Sequence, residues 1–452
     1  RQVLSLTWSD FIAPEFHWTN NDYGNITALF SIFYAVSLLF AGRLVDILDT
    51  KKGFLWAIGV WSVGACLHAF AGIATSGILT GNWLVGFEGA KSAIATVNDT
   101  GMIISTSVTL FILARFVLAV GEAGNFPAAI KTTAEYFPKK DRAFSTSIFN
   151  SGATVGALAA PITIPFIAKA FGWEMSFIII GALGFVWMGF WVFLYDKPEN
   201  HTKVSPEELA YIQQDVIADS KLVGYVAETA TKVSLKDCFR YKQTWAFAFG
   251  KFMTDGVWWF FLFWTPAYLS SVYDMDATEA ALPLFVLYMI TLLSIIGGWL
   301  PTYFVEKKGM NPYDGRMKAM LIFAFFPLLA LVAQPLGHYT YWLPVIIIGI
   351  AGAAHQSWSA NIFTTVGDMF PKKAIATVTG IGGLVGGLGS TLINKGSGVL
   401  FDHAKDTNMS FMGFEGIEAG YFIIFSICAV CYLIGWTVMK ALVPKYSPIT
   451  DL

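Results

Sequence analysis

The chain runs to 452 residues, 55% of them hydrophobic and 13% charged, with 16 Trp and 39 Phe. Soluble domains carry roughly 25% charged residues, so this balance excludes one and describes a polytopic membrane protein, whose partner is the lipid bilayer. A formal net charge of −2 sets up no broad positive field, which excludes nucleic acid as a partner.

Windows of about 20 apolar residues predict spans near 1–13, 24–46, 53–74, 103–129, 143–168, 174–195, 246–271, 280–304, 317–335, 341–366, 374–401 and 417–442. The first is incomplete, since the chain opens at Arg1 within what reads as the second half of a helix. The predicted fold is all-α: a six-helix bundle over 1–195, a polar linker over 196–243 and a second six-helix bundle over 244–452. Within the linker, Ser205-Pro206-Glu207-Glu208 is a capping box with Pro at the first helical position, which starts a short surface helix.

Orientation follows from the basic residues. One side collects 22 of the 29 Lys and Arg, among them Arg43, Lys51, Lys52, Lys139, Lys140, Lys307, Lys308 and Lys445, while the other has Lys91, Lys169 and Lys405. The first side is expected to be cytoplasmic, with both termini. Arg1, Arg115, Lys251 and Lys395 fall within spans and need a reason to be there.

The halves repeat each other. Glu135-Tyr-Phe-Pro-Lys-Lys140 returns as Asp368-Met-Phe-Pro-Lys-Lys373, and Gly42 through Lys51-Lys52-Gly53 returns as Gly298 through Lys307-Lys308-Gly309. The offsets, 233 and 256, differ by residues that the polar outward loop at about 75–102 supplies. Two copies of one unit in a membrane carrier place the substrate site at the midplane between them. The second offset also implies that roughly a dozen residues of helix 1 precede Arg1.

Helix 4 carries Arg115 and Glu122 in hydrocarbon, where an unpaired charge costs at least ~2.5–3.5 kcal/mol. Two helical turns put them on one face, roughly 10 Å apart. Either they border a wet cavity, Arg115 holding an anion and Glu122 taking up a proton, or they form structural ion pairs between helices. Gly121 and Gly124 allow close backbone approach, and Pro127 is expected to loosen the helix end.

Other candidates line up along the chain. Arg1 would be a second guanidinium for a carboxylate. Tyr34 in helix 2 offers a hydrogen bond to substrate, or simply to a carbonyl. In helix 5, Asn150 is a hydroxyl-binding amide, and Gly152 and Gly156 read as a close-packing pair. Helix 7 has Lys251 and Asp255 at pairing distance, with Trp258 beside them suited to a sugar ring. Helix 10 clusters His355, Gln356, Trp358 and Asn361. Asp46, at the cytoplasmic end of helix 2, together with Lys51 and Lys52, reads as a gate.

The run from Gly380 to Gly389 lacks the Lys-Ser/Thr of a phosphate loop and reads as helix packing, Gly382 with Gly386 and Gly383 with Gly387. No Walker motif occurs, so transport is expected to run on an ion or substrate gradient. The Cys428-Ala-Val-Cys431 pair sits inside an apolar helix rather than at a redox strand–helix junction. No metal, no cofactor and no enzymatic nucleophile–base arrangement is expected.

Gly42, Asp46, Lys51 and Lys52 resemble the helix 2–3 signature of the major facilitator superfamily, although Ile47 stands where that signature has arginine and Asp49 where it has glycine. Gly121-Glu-Ala-Gly-Asn-Phe-Pro-Ala128, Ile148-Phe-Asn-Ser-Gly152, Gly297-Gly-Trp-Leu-Pro301 and Ala354-His-Gln356 resemble the anion:cation symporters, and within them bacterial hexuronate transporters. The resemblance implies the major facilitator fold, with twelve transmembrane helices as two pseudo-repeats in the inner membrane. It implies that Arg1 and Arg115 engage a substrate carboxylate, that Glu122 is a proton site, and that Tyr34 and Trp358 meet the substrate. Gly383, where hexonate carriers have asparagine, favours a hexuronate.

The expected activity is proton-coupled symport of a sugar-acid anion by a monomer working through alternating access. A carrier of another organic anion, a hexonate or dicarboxylate, is the first alternative. A transport-inactive membrane sensor is the second.

Overall fold

The computed structural model describes residues 2–137, 142–214 and 235–449. Arg1 and the side chains of Asp46 and Asn150 lie outside the described residues, and with them the roles expected there. Among the described residues twelve long helical segments follow the apolar windows.

Helix 1 spans 2–16 and holds a π-helical turn at Trp8–Ile12. Helices 2 and 3 form one run, Asn20–Ala69, opened by a Thr19/Asp22 capping box and broken at Asp49 (φ 65°, ψ 162°). Helix 3 then bends by 51° into Ala71–Thr80. The outward loop folds a short helix of its own, Phe87–Ile94.

Helices 4, 5 and 6 are Thr100–Tyr136, Arg142–Phe171 and Trp173–Leu194. Pro127 does not loosen the end of helix 4, which runs on to Tyr136, because a proline removes one backbone donor and the turns beyond it keep theirs. In the linker Ser205 caps a helix at Pro206–Ile212 by accepting from the Glu208 backbone, as expected.

The second half has helices 7 (Lys242–Tyr273), 8 (Ala281–Lys308), 9 (Pro312–Gly337), 10 (Trp342–Met369), 11 (Lys372–Asp406) and 12 (Gly416–Leu442). Helices 4 and 10 end at Tyr136 and Met369, equivalent points of the sequence repeat. The repeated acid does comparable work in each. Thr50 and Tyr195 donate to Glu135, and Arg316 Nε donates to Asp368 at 2.6 Å.

Among the described residues seven helices are each long and apolar enough to cross a membrane, eight when the bent helix 3 counts as one span. Helix 7, outside that count, turns Lys251 and Asp255 to a cavity between the halves.

Glycines set how closely helices meet. A Cβ on Gly121 would strike the Trp61 backbone, and one on Gly64 the Leu118 backbone, so helices 3 and 4 pack almost main chain to main chain. Helix 11 has two such faces. Gly382, Gly386 and Gly389 press on Phe247, Asp255 and Phe252 of helix 7, whereas Gly383 and Gly387 meet Leu38 and Ala35 of helix 2. The expected pair in helix 5 is corrected. Gly152 and Gly156 are exposed and a Cβ on either meets nothing within 4 Å, so small residues there close no contact.

The halves are joined at one end. Asp402 of helix 11 accepts from the backbone N–H groups of Asn20 and Asn21 (2.9 and 2.6 Å) and from the Asn20 amide, capping helix 2 from the other half. Lys395 reaches Asn21 and Asn25, which accounts for one of the cations within spans. Asp10 accepts from Ser270 and the Ala277 backbone, and Lys169 pairs with Asp276 at 3.2 Å. Inside this ring Trp8 stacks on Tyr23 at 4.2 Å, edge-on to Trp264. At the lysine-rich end, among the described residues, ion pairs tie the first half to the start of the linker, Lys51–Asp196 and Lys197–Asp49, and lie within the second half, Arg316–Asp368 and Lys440–Asp314.

Candidate functional site

A cavity of about 260 Å³ lies between helix 2 of the first half and helices 7, 10 and 11 of the second. That is the low end of the ~300–1,000 Å³ range of small-molecule sites, so it admits a ligand of single-sugar size. Each wall is a helical stripe. Helix 2 gives Ser31, Tyr34, Ala35 and Leu38; helix 7 gives Lys251, Asp255, Trp258 and Trp259. Helix 10 gives His355, Gln356, Ser359 and Phe363, and helix 11 contributes Gly383 and Gly387.

The charged pair is fixed in place. Lys251 Nζ lies 2.8 Å from Asp255 Oδ2, one turn along helix 7, and 4.2 Å above the Phe363 ring. Asp255 fits because Gly386 faces it: a Cβ there would overlap the carboxylate. His355 stacks flat on Trp258, with centroids 5.4 Å apart, and its Nδ1 lies 2.8 Å from the Tyr432 hydroxyl. The site thus offers an indole and an imidazole face, a paired cation and anion, a hydroxyl and an amide.

Of the candidates, Tyr34, Lys251, Asp255, Trp258, His355 and Gln356 line this one cavity. Arg115 stands one ring behind them. It is 3% exposed, with Cζ 5.1 Å above Phe30, whose ring is 6.1 Å from Tyr34 and 5.9 Å from Trp259. Glu122, two turns on, is half-buried, and neither residue is among the cavity's lining.

Two residues of helix 10 sit apart from the cavity. Trp358 is fully buried edge-on to Tyr432, and the Asn361 amide donates to the carbonyls of Gly297 and Ser357. Lys51 pairs at 2.9 Å with Asp196 of its own half, and Lys52 is exposed. Ile47, in place of the signature arginine, is 71% exposed.

Sequence reasoning missed Ser31, Ser359 and Phe363. The signal is present in the sequence: Ser359 and Phe363 follow Gln356 at three and seven residues, the spacing of one helix face.

A larger cavity, about 870 Å³, opens at the far end among Asp10, Glu15, Glu88, Lys91, Lys169 and Trp173. Among the described residues Glu15 Oε1 is buried there without a hydrogen-bond partner. Lys91 of the outward loop meets Glu88 at 3.0 Å and the buried Glu174 at 3.3 Å, and Trp173 Nε1 donates to Glu15. It lies beyond the joined ends of the halves and supports the loop rather than a midplane ligand.

Residues 1–393 match the Major Facilitator Superfamily. Among curated proteins the chain is similar to a hexuronate transporter of Escherichia coli (strain K12), 28% identical over 435 residues, covering 95% of this chain and 88% of that one. It is also similar to a galacturonate transporter of Dickeya chrysanthemi, 27% identical over 301 residues, with 66% and 76% covered. Among solved structures, a bacterial homologue of the human lysosomal transporter Spinster, inward-facing and unoccupied, aligns with a TM-score of 0.65 at 16% identity over 99% of this chain and 95% of that one, a likeness of fold.

Proposed function

The chain belongs to the Major Facilitator Superfamily, and from that premise we propose that it is a proton-coupled symporter importing a hexuronate across the inner membrane, with its lysine-rich end and termini in the cytoplasm. The observation that carries the reading is the sugar-sized cavity between the halves, with an indole wall, hydroxyl and amide donors and a buried ion pair. The names of the hexuronate and galacturonate relatives support the substrate class.

In this reading the sugar ring lies against Trp258 and its hydroxyls meet Tyr34 and Gln356. The carboxylate draws Arg115 forward past Phe30 as the halves rock. Glu122, two turns along helix 4 from Arg115, is the proton site of this reading, and its proton crosses with the substrate held at Arg115. The protein works as a monomer, each half moving as a unit about the site.

Competition for labelled galacturonate uptake in a transport-deficient host tests the substrate class. Glucuronate and unlabelled galacturonate compete; hexonates, C4 dicarboxylates and neutral hexoses do not. Uptake displaced by a hexonate or C4 dicarboxylate and untouched by glucuronate overturns the assignment.

A further inference from the structure

Apart from His355, the charged side chains lining the cavity among the described residues are Lys251 and Asp255. Both are largely withdrawn from solvent, their side chains 6% and 15% exposed, and they hold each other at 2.8 Å. The carboxylate is seated rather than placed by chance, since Gly386 of helix 11 leaves room for it where any larger residue would collide. Lys251 is pinned from the other side by the Phe363 ring at 4.2 Å. A cation so engaged has no charge left for a ligand, while Asp255 repels an anion brought to it.

Resting on the hexuronate reading, we propose that Asp255 is a specificity-determining residue: by occupying Lys251 it keeps the cavity selective for sugar acids with one carboxylate against those with two. A hexuronate and its aldarate differ at one carbon, where the aldarate has a second carboxylate in place of the aldehyde or hemiacetal. The monoacid presents uncharged oxygens to the Lys251–Asp255 pair and leaves it intact. The diacid sets a carboxylate against Asp255 and can be held there only by taking Lys251 away from it.

The test is binding of galacturonate and of galactarate to the purified full chain, read as ligand-dependent thermal shift over a concentration series. In Asp255→Asn the galactarate to galacturonate affinity ratio rises by about tenfold or more, the size of one like-charge contact removed. In Lys251→Gln/Asp255→Asn, which has no charge to offer, it stays at the wild-type value. Where Asp255→Asn does not fold, Asp255→Ser carries the same comparison.

An unchanged ratio in a single variant that still binds galacturonate overturns the proposal. So does a folded single variant that binds neither acid, since Asp255 would then be a direct substrate ligand. Wild-type protein that binds neither acid defeats the hexuronate reading itself, an outcome visible before any variant is made.

Discussion

At the scale of single residues, charge placement decides what each group can do. Lys251 and Asp255 stabilise each other inside helix 7, so removing one strands the other. Lys251→Ala leaves a buried carboxylate without its cation and is expected to cost about 3–5 kcal/mol, read as a lowered melting temperature in detergent. Lys251→Gln/Asp255→Asn loses far less. Equal losses would show that the pair is not the source of the effect. Asp49 is a second case. Its φ of 65° with ψ of 162° is a backbone region that costs a residue with a Cβ about 1–3 kcal/mol, and the superfamily signature has glycine there. Its ion pair with Lys197 at 2.9 Å is half-exposed, where solvent screens it. Asp49→Gly is therefore expected to raise the melting temperature, and a fall would mean that the Lys197 contact outweighs the strain. The pair was visible in the sequence as an i, i+4 spacing, and the strain as a departure from a signature. That Arg115 lies behind Phe30 was not, because which side of a helix meets a ring from another helix is fixed by packing that no local pattern encodes.

At the scale of elements, helix 11 carries the argument. Its glycines alternate between helix 7 and helix 2, and this two-faced packing closes the cavity on one side. Gly389→Ala drives a methyl into the Phe252 carbonyl and is expected to destabilise by about 1–3 kcal/mol. Gly152→Ala and Gly156→Ala, facing open space, are expected to change stability little or raise it slightly, since alanine suits a helix better than glycine. Thermal denaturation of the three separates them; a larger loss at Gly156 than at Gly389 would reverse the assignment. Helix positions and the repeated Glu135/Asp368 ends were legible because apolar length and a duplicated motif are properties of the chain itself. The glycine spacing announced close packing in helix 5 as firmly as in helix 11, yet only helix 11 has neighbours at those positions. Small-residue spacing permits approach and does not supply the partner.

At the scale of the whole molecule, the two halves meet through Asp10, Asp402, Lys395 and Lys169–Asp276 at one end. Opening the joined end has to break those contacts. Asp402→Asn weakens the cap on helix 2 and is expected to increase the population open at that end, seen as greater labelling of a cysteine placed at the buried Thr27. Unchanged labelling would show that Asp402 does not hold the halves together. Asp276 sets a limit on how pH acts here. Its bonds from Thr278 and the Glu279 backbone, helped by Lys169, hold its carboxyl down to about 2. A group so lowered contributes above its unfolded value near ~4 and loses that contribution as pH falls toward about 2. The Lys169–Asp276 link is thus intact across neutral and mildly acidic pH. Asp276→Asn is expected to leave the shape of the uptake profile between pH 5 and 8 unaltered, and a shifted profile would contradict this. The proposed proton site is Glu122. Its most direct test is galacturonate uptake into proteoliposomes under an imposed inward proton gradient. Wild-type protein accumulates the sugar acid above equilibrium and loses it on addition of a protonophore, while Glu122→Gln exchanges galacturonate across the membrane without accumulating it. Uphill accumulation by Glu122→Gln, or wild-type uptake indifferent to the gradient, would contradict the account.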